Sequence, residues 1–352
     1  MKYSNNYIFY PGNRALEQAI LYYKSLLVDA VEDNSPDSRT TVADNFVYTR
    51  GNFEQQRFNV NILESARETL ENALTDDYRN QEPLTRAATQ NSLGNILAAL
   101  GQQQRDTDLF EKAILSFKNA LEEYTQEKAP LDWASTKYNL ATAMQALGRQ
   151  RSDSRLLKLS IDAYTDALLE WTREQQPLDW AFTMHQLGAT FHDYGKRLKG
   201  NRTFQKSVVA YKNALEEFDA DNTALELAAT HNNRGAVLHH LGESEENAGR
   251  LEEAIRSYEK ALTVCMEQQL PIHLAVMCRV NMSTARGVLA ELTKGLPIAK
   301  EAADDFELII ELFHGSCQPL CLKHCEEQLD KAQLLVKVLK QGDTTHNTTR
   351  GH

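Results

Sequence analysis

A repeat of 47 residues constrains this chain more than any other feature of its sequence. Proline recurs at that interval, with alanine in one place: Pro83, Pro130, Pro177, Ala224 and Pro271. Glycines and aromatic residues keep the same interval: Gly101, Gly148, Gly195 and Gly242; Phe117, Tyr164, Tyr211 and Tyr258. Because several residue types stay in register over four periods, the sequence predicts an array of similar structural units.

Each period predicts two α-helices. In the period that begins at Pro130, apolar residues recur every three or four positions, as on one face of a helix: Leu131, Ala134, Tyr138, Leu140, Ala141, Met144 and Leu147. Proline suits the first turn of a helix because its φ is fixed and it lacks an N–H. We expect Gly148 to end the helix with a positive φ. A second apolar stripe follows from Leu156 to Leu168, and no alternating run predicts a strand.

A single helical hairpin cannot bury both of its apolar faces, so neighbouring hairpins must stack to close the core. The sequence therefore predicts an all-α solenoid of antiparallel hairpins with about fourteen helices. We expect an N-terminal segment with a capping helix (1–35), a degenerate first hairpin (36–82) and four regular repeats (83–270). A degenerate fifth repeat (271–318), a capping helix (319–340) and a disordered tail (341–352) follow.

Composition excludes several classes of protein. The chain has 38 lysines and arginines against 49 aspartates and glutamates, and its net charge of −11 argues against nucleic-acid binding. We expect no membrane association, because no long apolar stretch occurs and Met1–Gly12 does not look like a secretion leader. Five cysteines, an odd number, favour a reducing cytoplasm over a disulfide-linked secreted protein.

The repeats resemble the tetratricopeptide repeat family. The first helix of that family carries Leu-Gly and then a large apolar residue, as in Leu93-Gly94 and Leu97, and the second carries the spacing of Ala113, Phe117 and Ala120. The interval of 47 exceeds the roughly 34 residues of the family and is similar to a long-period bacterial variant. The resemblance implies a right-handed superhelix without cofactors, acting as a non-catalytic scaffold that binds a peptide or partner protein in its concave groove.

The resemblance also implies which residues line that groove, because first helices face it in the family. The implied positions are Asn91, Asn95, Tyr138, Asn139, Thr142, Gln145, His185, Gln186, His192, Asn232, Asn233, His239, Arg279 and Arg286. Amide side chains can pair with the N–H and C=O groups of an extended peptide, and Arg279 and Arg286 suit a carboxylate. The alternative is a solvated polar face without a ligand.

Two clusters suggest metal chemistry as an alternative to these roles. His192 and His239 are repeat-equivalent, with His185 and His240 near them, so they form a candidate metal or pH-sensitive site, although hydrogen bonding in the groove is favoured. Cys317, Cys321, His324 and Cys325 form a candidate zinc site, although buried core cysteines are favoured there and at Cys265 and Cys278. No phosphate-binding loop or nucleophile motif occurs, so we expect no enzymatic activity.

Two other functions stay open at this stage. The chain could be a regulatory subunit that senses a ligand and controls a separate effector protein, or a structural protein that assembles through its end helices as a homo-oligomer. The aromatic residues Tyr3, Tyr7, Phe9 and Tyr10 suggest that the N-terminal segment docks on the solenoid.

Overall fold

The computed structural model describes residues 53–76, 82–198, 200–270, 272–313 and 319–348. Within these ranges the chain forms twelve helices and no strand. They are α1 (Phe53–Asp76), α2 (Pro83–Gln104), α3 (Thr107–Glu123), α4 (Pro130–Gln150), α5 (Ser154–Ala167), α6 (Pro177–Leu198), α7 (Asn201–Ala214), α8 (Ala224–Ser244), α9 (Ala248–Glu267), α10 (Ile272–Thr293), α11 (Leu296–Phe313) and α12 (Pro319–Thr348). The predicted all-α, solenoid-like fold is confirmed.

We call α2, α4, α6, α8, α10 and α12 the first helices of their repeats, and the other helices the second helices. The described residues fall into two compact units, 53–186 and 187–348, whose boundary lies within α6. In the first unit α2 packs on α3 and α4, and α4 packs on α5. In the second unit α8 packs on α7, α9 and α10, and α10 also packs on α11 and α12.

Helix starts follow local sequence signals. Pro83 and Pro130 occupy the first turns of α2 and α4, as predicted. The second helices α3 and α5 begin with side-chain caps: the Asp106 carboxylate accepts a hydrogen bond from the Asp108 N–H at 2.8 Å, and Asp153 does the same for the Arg155 N–H. Such caps satisfy backbone donors that the helix itself leaves unpaired.

The repeated glycines near the ends of first helices do not adopt positive φ, so that part of the prediction is wrong. The left-handed residues lie four positions later, at Arg105, Ser152 and Glu246. The glycines remain inside the helices, where the following second helix comes close. A Cβ atom at Gly242 would lie 2.7 Å from the Leu251 side chain, so lack of a side chain is what the position requires.

The cores of three hairpins share one contact between an aromatic ring and a glycine. Phe117, Tyr211 and Tyr258 on the second helices are fully buried. A Cβ atom on the glycine opposite each ring would lie 2.6 Å from Phe117, 2.7 Å from Tyr211 or 2.8 Å from Tyr258; these glycines are Gly94, Gly188 and Gly235. The ring therefore packs directly on the first-helix backbone and sets the distance between the two helices.

The ends of the array differ in part from the sequence prediction. Helix α12 continues to Thr348, eight residues into the segment expected to be a disordered tail. Once a helix has formed, each added residue gains a backbone hydrogen bond without a further nucleation cost, which favours this extension. The predicted capping helix before residue 36 and the docking of Tyr3, Tyr7, Phe9 and Tyr10 lie outside the described residues.

The glycine contact generates a prediction for Gly188→Ala. We expect a lower free energy of unfolding, by about 1–2 kcal/mol, because the clash with Tyr211 exceeds the gain in helix propensity. Gly287→Ala is the matched control, since Gly287 also lies inside a first helix but a Cβ there would meet no atom within 4 Å. This control should gain up to about 1 kcal/mol in chemical denaturation. Equal effects of the two substitutions would contradict the packing argument.

Candidate interaction surface

Most of the predicted groove residues are buried between helices. Nine of the fourteen are buried: Asn95, Tyr138, Asn139, Gln145, His185, His192, Asn232, Asn233 and His239. Five are half-buried: Asn91, Thr142, Gln186, Arg279 and Arg286. At the buried positions these polar side chains lie in the interior formed by the described helices. A role for these residues in partner binding stays a prediction.

Amide side chains join neighbouring first helices. The Asn139 Nδ2 group on α4 donates to Asn91 Oδ1 on α2 at 3.3 Å. In the second unit Asn281 Nδ2 on α10 donates to Asn232 Oδ1 on α8 at 3.0 Å. A buried amide without a partner would cost about 1–3 kcal/mol, so these pairs stabilise the stacking of repeats. The amides thus bind each other at the positions where we expected them to bind a peptide.

The groove residues of α4 are held by a tyrosine from the next helix. The Tyr164 hydroxyl on α5 lies 2.9 Å from Thr142 Oγ1 and donates to Gln145 Oε1 at 3.1 Å. Tyr138 packs edge-on against Tyr164, with ring centroids 5.5 Å apart. Burial raises the pKa of Tyr164 well above its usual value, so the hydroxyl stays protonated and keeps donating.

The two arginines expected to bind a carboxylate of a partner already have carboxylate partners in the chain. Arg286 Nη1 donates to Asp305 Oδ2 at 2.5 Å, and Glu259 Oε1 accepts from Arg286 Nη2 at 3.2 Å. Arg279 Nη1 lies 3.8 Å from Asp305 Oδ1. The two arginines are therefore paired with Asp305 from the second helix α11 and Glu259 from the second helix α9, which first-helix spacing alone did not reveal.

Three histidines of the second unit, His192, His239 and His240, are buried. His192 and His240 both pack on the Phe204 ring, with ring centroids 5.6 Å and 4.3 Å from it. Within the described residues, neither ring nitrogen of His239 has a hydrogen-bond partner. Burial lowers the pKa of His239 to about 3 and that of His192 well below its usual value, so both are neutral near pH 7.

The candidate metal clusters are not assembled in the described part of the chain. No group of three or more His, Cys, Asp or Glu side chains there has an arrangement that could hold a metal ion. Cys325 packs in an apolar cluster with Val276, Val280, Phe306 and Ile309, as the core interpretation predicted. Cys317 and the side chain of Cys321 lie outside the described residues.

The first turns of three first helices expose an apolar side chain, which the sequence analysis missed. Leu84, Leu131 and Leu178 are each the second residue of a first helix, and 43%, 51% and 44% of their surfaces are exposed. We call these three residues the leucine row. Their 47-residue spacing was visible, but periodicity assigned them to the buried stripe. Their place in the first turn of each helix was the signal that could have distinguished them from the buried residues of the stripe.

Comparison with known proteins identifies the repeat. Residues 86–123, which span most of α2 and all of α3, match the tetratricopeptide repeat family model. The solved structure of BtubC (BKLC) from P. vanneervenii is similar at 17% identity, with 75% of this chain and 94% of that chain covered and a TM-score of 0.52. The segment of residues 86–123 matches a tetratricopeptide repeat. Such repeats are generally protein-interaction modules and are typically non-catalytic.

Two further solved tetratricopeptide repeat proteins show weaker similarity. The C-terminal part of a protein from Cytophaga hutchinsonii has 14% identity, 83% and 99% coverage of the two chains and a TM-score of 0.38. A protein from Parabacteroides merdae has 15% identity, 80% and 96% coverage and a TM-score of 0.33. A search of curated protein sequences finds no match.

Long helices account for the long period of these tetratricopeptide repeats. The first helices α2, α4, α6 and α8 have 21 or 22 residues, and the second helices α3, α5, α7 and α9 have 14 to 20. None of the described helices is long and apolar enough to cross a lipid bilayer.

The buried histidines predict that acid destabilises the repeats that contain them. The pKa of His185 and that of His239 are both about 3 in the folded chain, whereas an unfolded histidine titrates near 6.5. Between these values only the unfolded chain binds the proton, so stability is full above pH 6.5 and falls as the pH drops. At pH 5.5 each such histidine removes about 1.4 kcal/mol.

The variant His239→Gln tests this dependence. Glutamine fits the position, because the equivalent residue two repeats earlier is Gln145, which is also buried. Urea denaturation at pH 7.5 and pH 5.5 should show a smaller acid loss in the variant, by about 1.4 kcal/mol. The free energy of unfolding at pH 7.5 shows how much the substitution itself changes the packing. Identical acid losses in both proteins would refute the assignment.

Proposed function

We propose that the chain is a non-catalytic scaffold or adaptor that binds a peptide or partner protein along its first helices. The leucine row carries this proposal. In the unit that spans residues 53–186, three leucines at equivalent positions remain about half exposed on a rigid set of helices. Isolated exposed leucines are common on proteins, but a repeated row gives a partner several equivalent apolar contacts.

The size and spacing of the row suit a polypeptide partner. Burying one leucine side chain stabilises a complex by about 1.5–3 kcal/mol. Neighbouring helices lie roughly 8–10 Å apart, which is close to one turn of a polyproline II helix, where three residues rise about 3.1 Å each and every third side chain lies on the same side. A peptide that crosses the first helices can therefore bring an apolar side chain to each leucine in turn.

Polar contacts in this proposal come from the groove positions that remain half-buried. Asn91, Thr142 and Gln186 lie on α2, α4 and α6 within the same unit as the leucine row. Their amide and hydroxyl groups can accept or donate hydrogen bonds to a peptide backbone. The buried groove residues act in the proposal by holding the first helices in place. The bacterial cytoplasmic setting and the regulatory-subunit alternative stay predictions.

A photo-crosslinking residue at Leu131 tests the scaffold function. We expect a crosslinked partner at this position and none at Leu115, the matched control, which lies on the second helix α3 with 59% of its surface exposed. Leu131→Asp should lower partner affinity by about tenfold, since roughly 1.5 kcal/mol of apolar contact is lost. Equal crosslinking at both positions, or unchanged affinity of Leu131→Asp, would argue against the leucine row as the binding site.

Self-association is a second candidate function, and a separate observation favours it. On the last helix, α12, Leu334 and Val338 are 62% and 55% exposed and lie four residues apart, so they share one face. An apolar face on an end helix can pack on a second copy of the chain.

Light scattering at increasing protein concentration tests this candidate. The molar mass should rise with concentration for the natural chain and stay at the monomer value for the double variant Leu334→Lys with Val338→Lys. The matched control is Leu115→Lys, which changes an equally exposed leucine away from the end helix. A constant monomer mass for the natural chain would exclude assembly through α12.

A further inference from the structure

One position of the repeat changes from aromatic to cysteine. Where a second helix ends and the connection to the next repeat begins, three large side chains recur at the 47-residue interval and are buried: Tyr124, Trp171 and Phe218. The next member of this series is Cys265, which is 2% exposed near the end of α9. A thiol is much smaller than an aromatic ring, so the substitution leaves space that the neighbouring repeat must fill.

A second cysteine lies in that space. Cys278 on α10 is 3% exposed, and its thiol is hydrogen-bonded to that of Cys265. Both cysteines belong to one apolar cluster with Ala228, Ala261 and Leu274. Both also line a small cavity of about 10 Å³, which is bounded by Leu274, Met277 and Asn232 as well. Both thiols are free. Because the two cysteines share one cluster and one cavity, they face each other across the contact between two repeats.

The two thiols are chemically unequal. The hydrogen bond from Cys278 lowers the pKa of the Cys265 thiol, because it stabilises the thiolate. The same hydrogen bond, together with burial, raises the pKa of Cys278, which stays protonated. The thiolate is the reactive form of cysteine, so Cys265 is the nucleophile of the pair and Cys278 is placed to react with it next.

We propose that Cys265 and Cys278 form an oxidation site for hydrogen peroxide that closes to a disulfide and links α9 to α10. The Cys265 sulfur attacks one peroxide oxygen, the O–O bond breaks, and the products are a sulfenic acid on Cys265 and one water molecule. The Cys278 sulfur then attacks the Cys265 sulfur, forms the S–S bond and releases the second water molecule. The two thiols lose two electrons together, and peroxide takes them up.

The site goes beyond partner binding and does not depend on it. The cavity is only about large enough for one water molecule, so it excludes the larger glutathione disulfide and admits at most a small oxidant such as hydrogen peroxide. The disulfide would join the second helix of one repeat to the first helix of the next, at a contact that is otherwise non-covalent. Thiol reductants reverse the reaction, so the link between repeats would follow the redox state of its surroundings.

Peptide mapping of the full chain tests the proposal. After treatment with hydrogen peroxide and alkylation of the remaining thiols, we expect a peptide that contains Cys265 linked to Cys278. The intact mass should fall by about 2 Da and return to its starting value with dithiothreitol. Amide hydrogen exchange in α10 should become slower in the oxidised chain. These measurements use the natural protein, so they do not depend on the folding of a variant.

Variants then assign the roles of the two cysteines. Cys278→Ser should leave a sulfenic acid on Cys265 that reacts with dimedone, whereas Cys265→Ser should form neither product. The matched control is Cys325→Ser, because Cys325 is also a buried cysteine of a first helix, and this variant should still form the disulfide. Oxidation without a link between Cys265 and Cys278, faster oxidation at Cys278, or unchanged exchange in α10 would overturn the proposal.

Discussion

The packing of one aromatic ring on the backbone of the facing helix is the contact on which the other features of each repeat depend. Tyr211 lies so close to α6 that even a methyl group at Gly188 would clash with it. Ser207, on the same helix as Tyr211, adds a hydrogen bond: its Oγ donates to the Gly188 carbonyl at 2.6 Å. Together the two contacts set the spacing of the hairpin, and the stacking of hairpins follows from that spacing.

Close stacking decides which first-helix side chains a partner can reach. Since α2 touches α4 and α8 touches α10, polar residues between them must pair within the protein or remain unsatisfied. Asn139 pairs with Asn91, and Asp305 neutralises Arg286. The leucine row escapes this burial because it lies in the first turn of its helices, so the accessible part of the first helices is more apolar than the amide pattern suggested.

Local features were predictable because they depend on neighbours in the chain. The starts of α2 and α4 at prolines and the buried stripe with Tyr164 followed from periods of three and four residues. The role of Gly242 did not follow, since a small residue fits a left-handed turn and a close helix contact equally well. Likewise, His239 fitted an exposed groove by its spacing, but it is fully buried, and both ring nitrogens are unpaired among the described residues.

The sequence by itself determined the helical repeat, because periodicity and helix signals act over a few residues of the chain. Only the tertiary structure decided what each polar or sulfur-containing side chain meets. Cys265 and Cys278 are 13 positions apart, and the contact between their thiols depends on the distance between two helices of different repeats. Such distances arise from the packing of many side chains at once, so a pattern of spacing along one helix does not contain them.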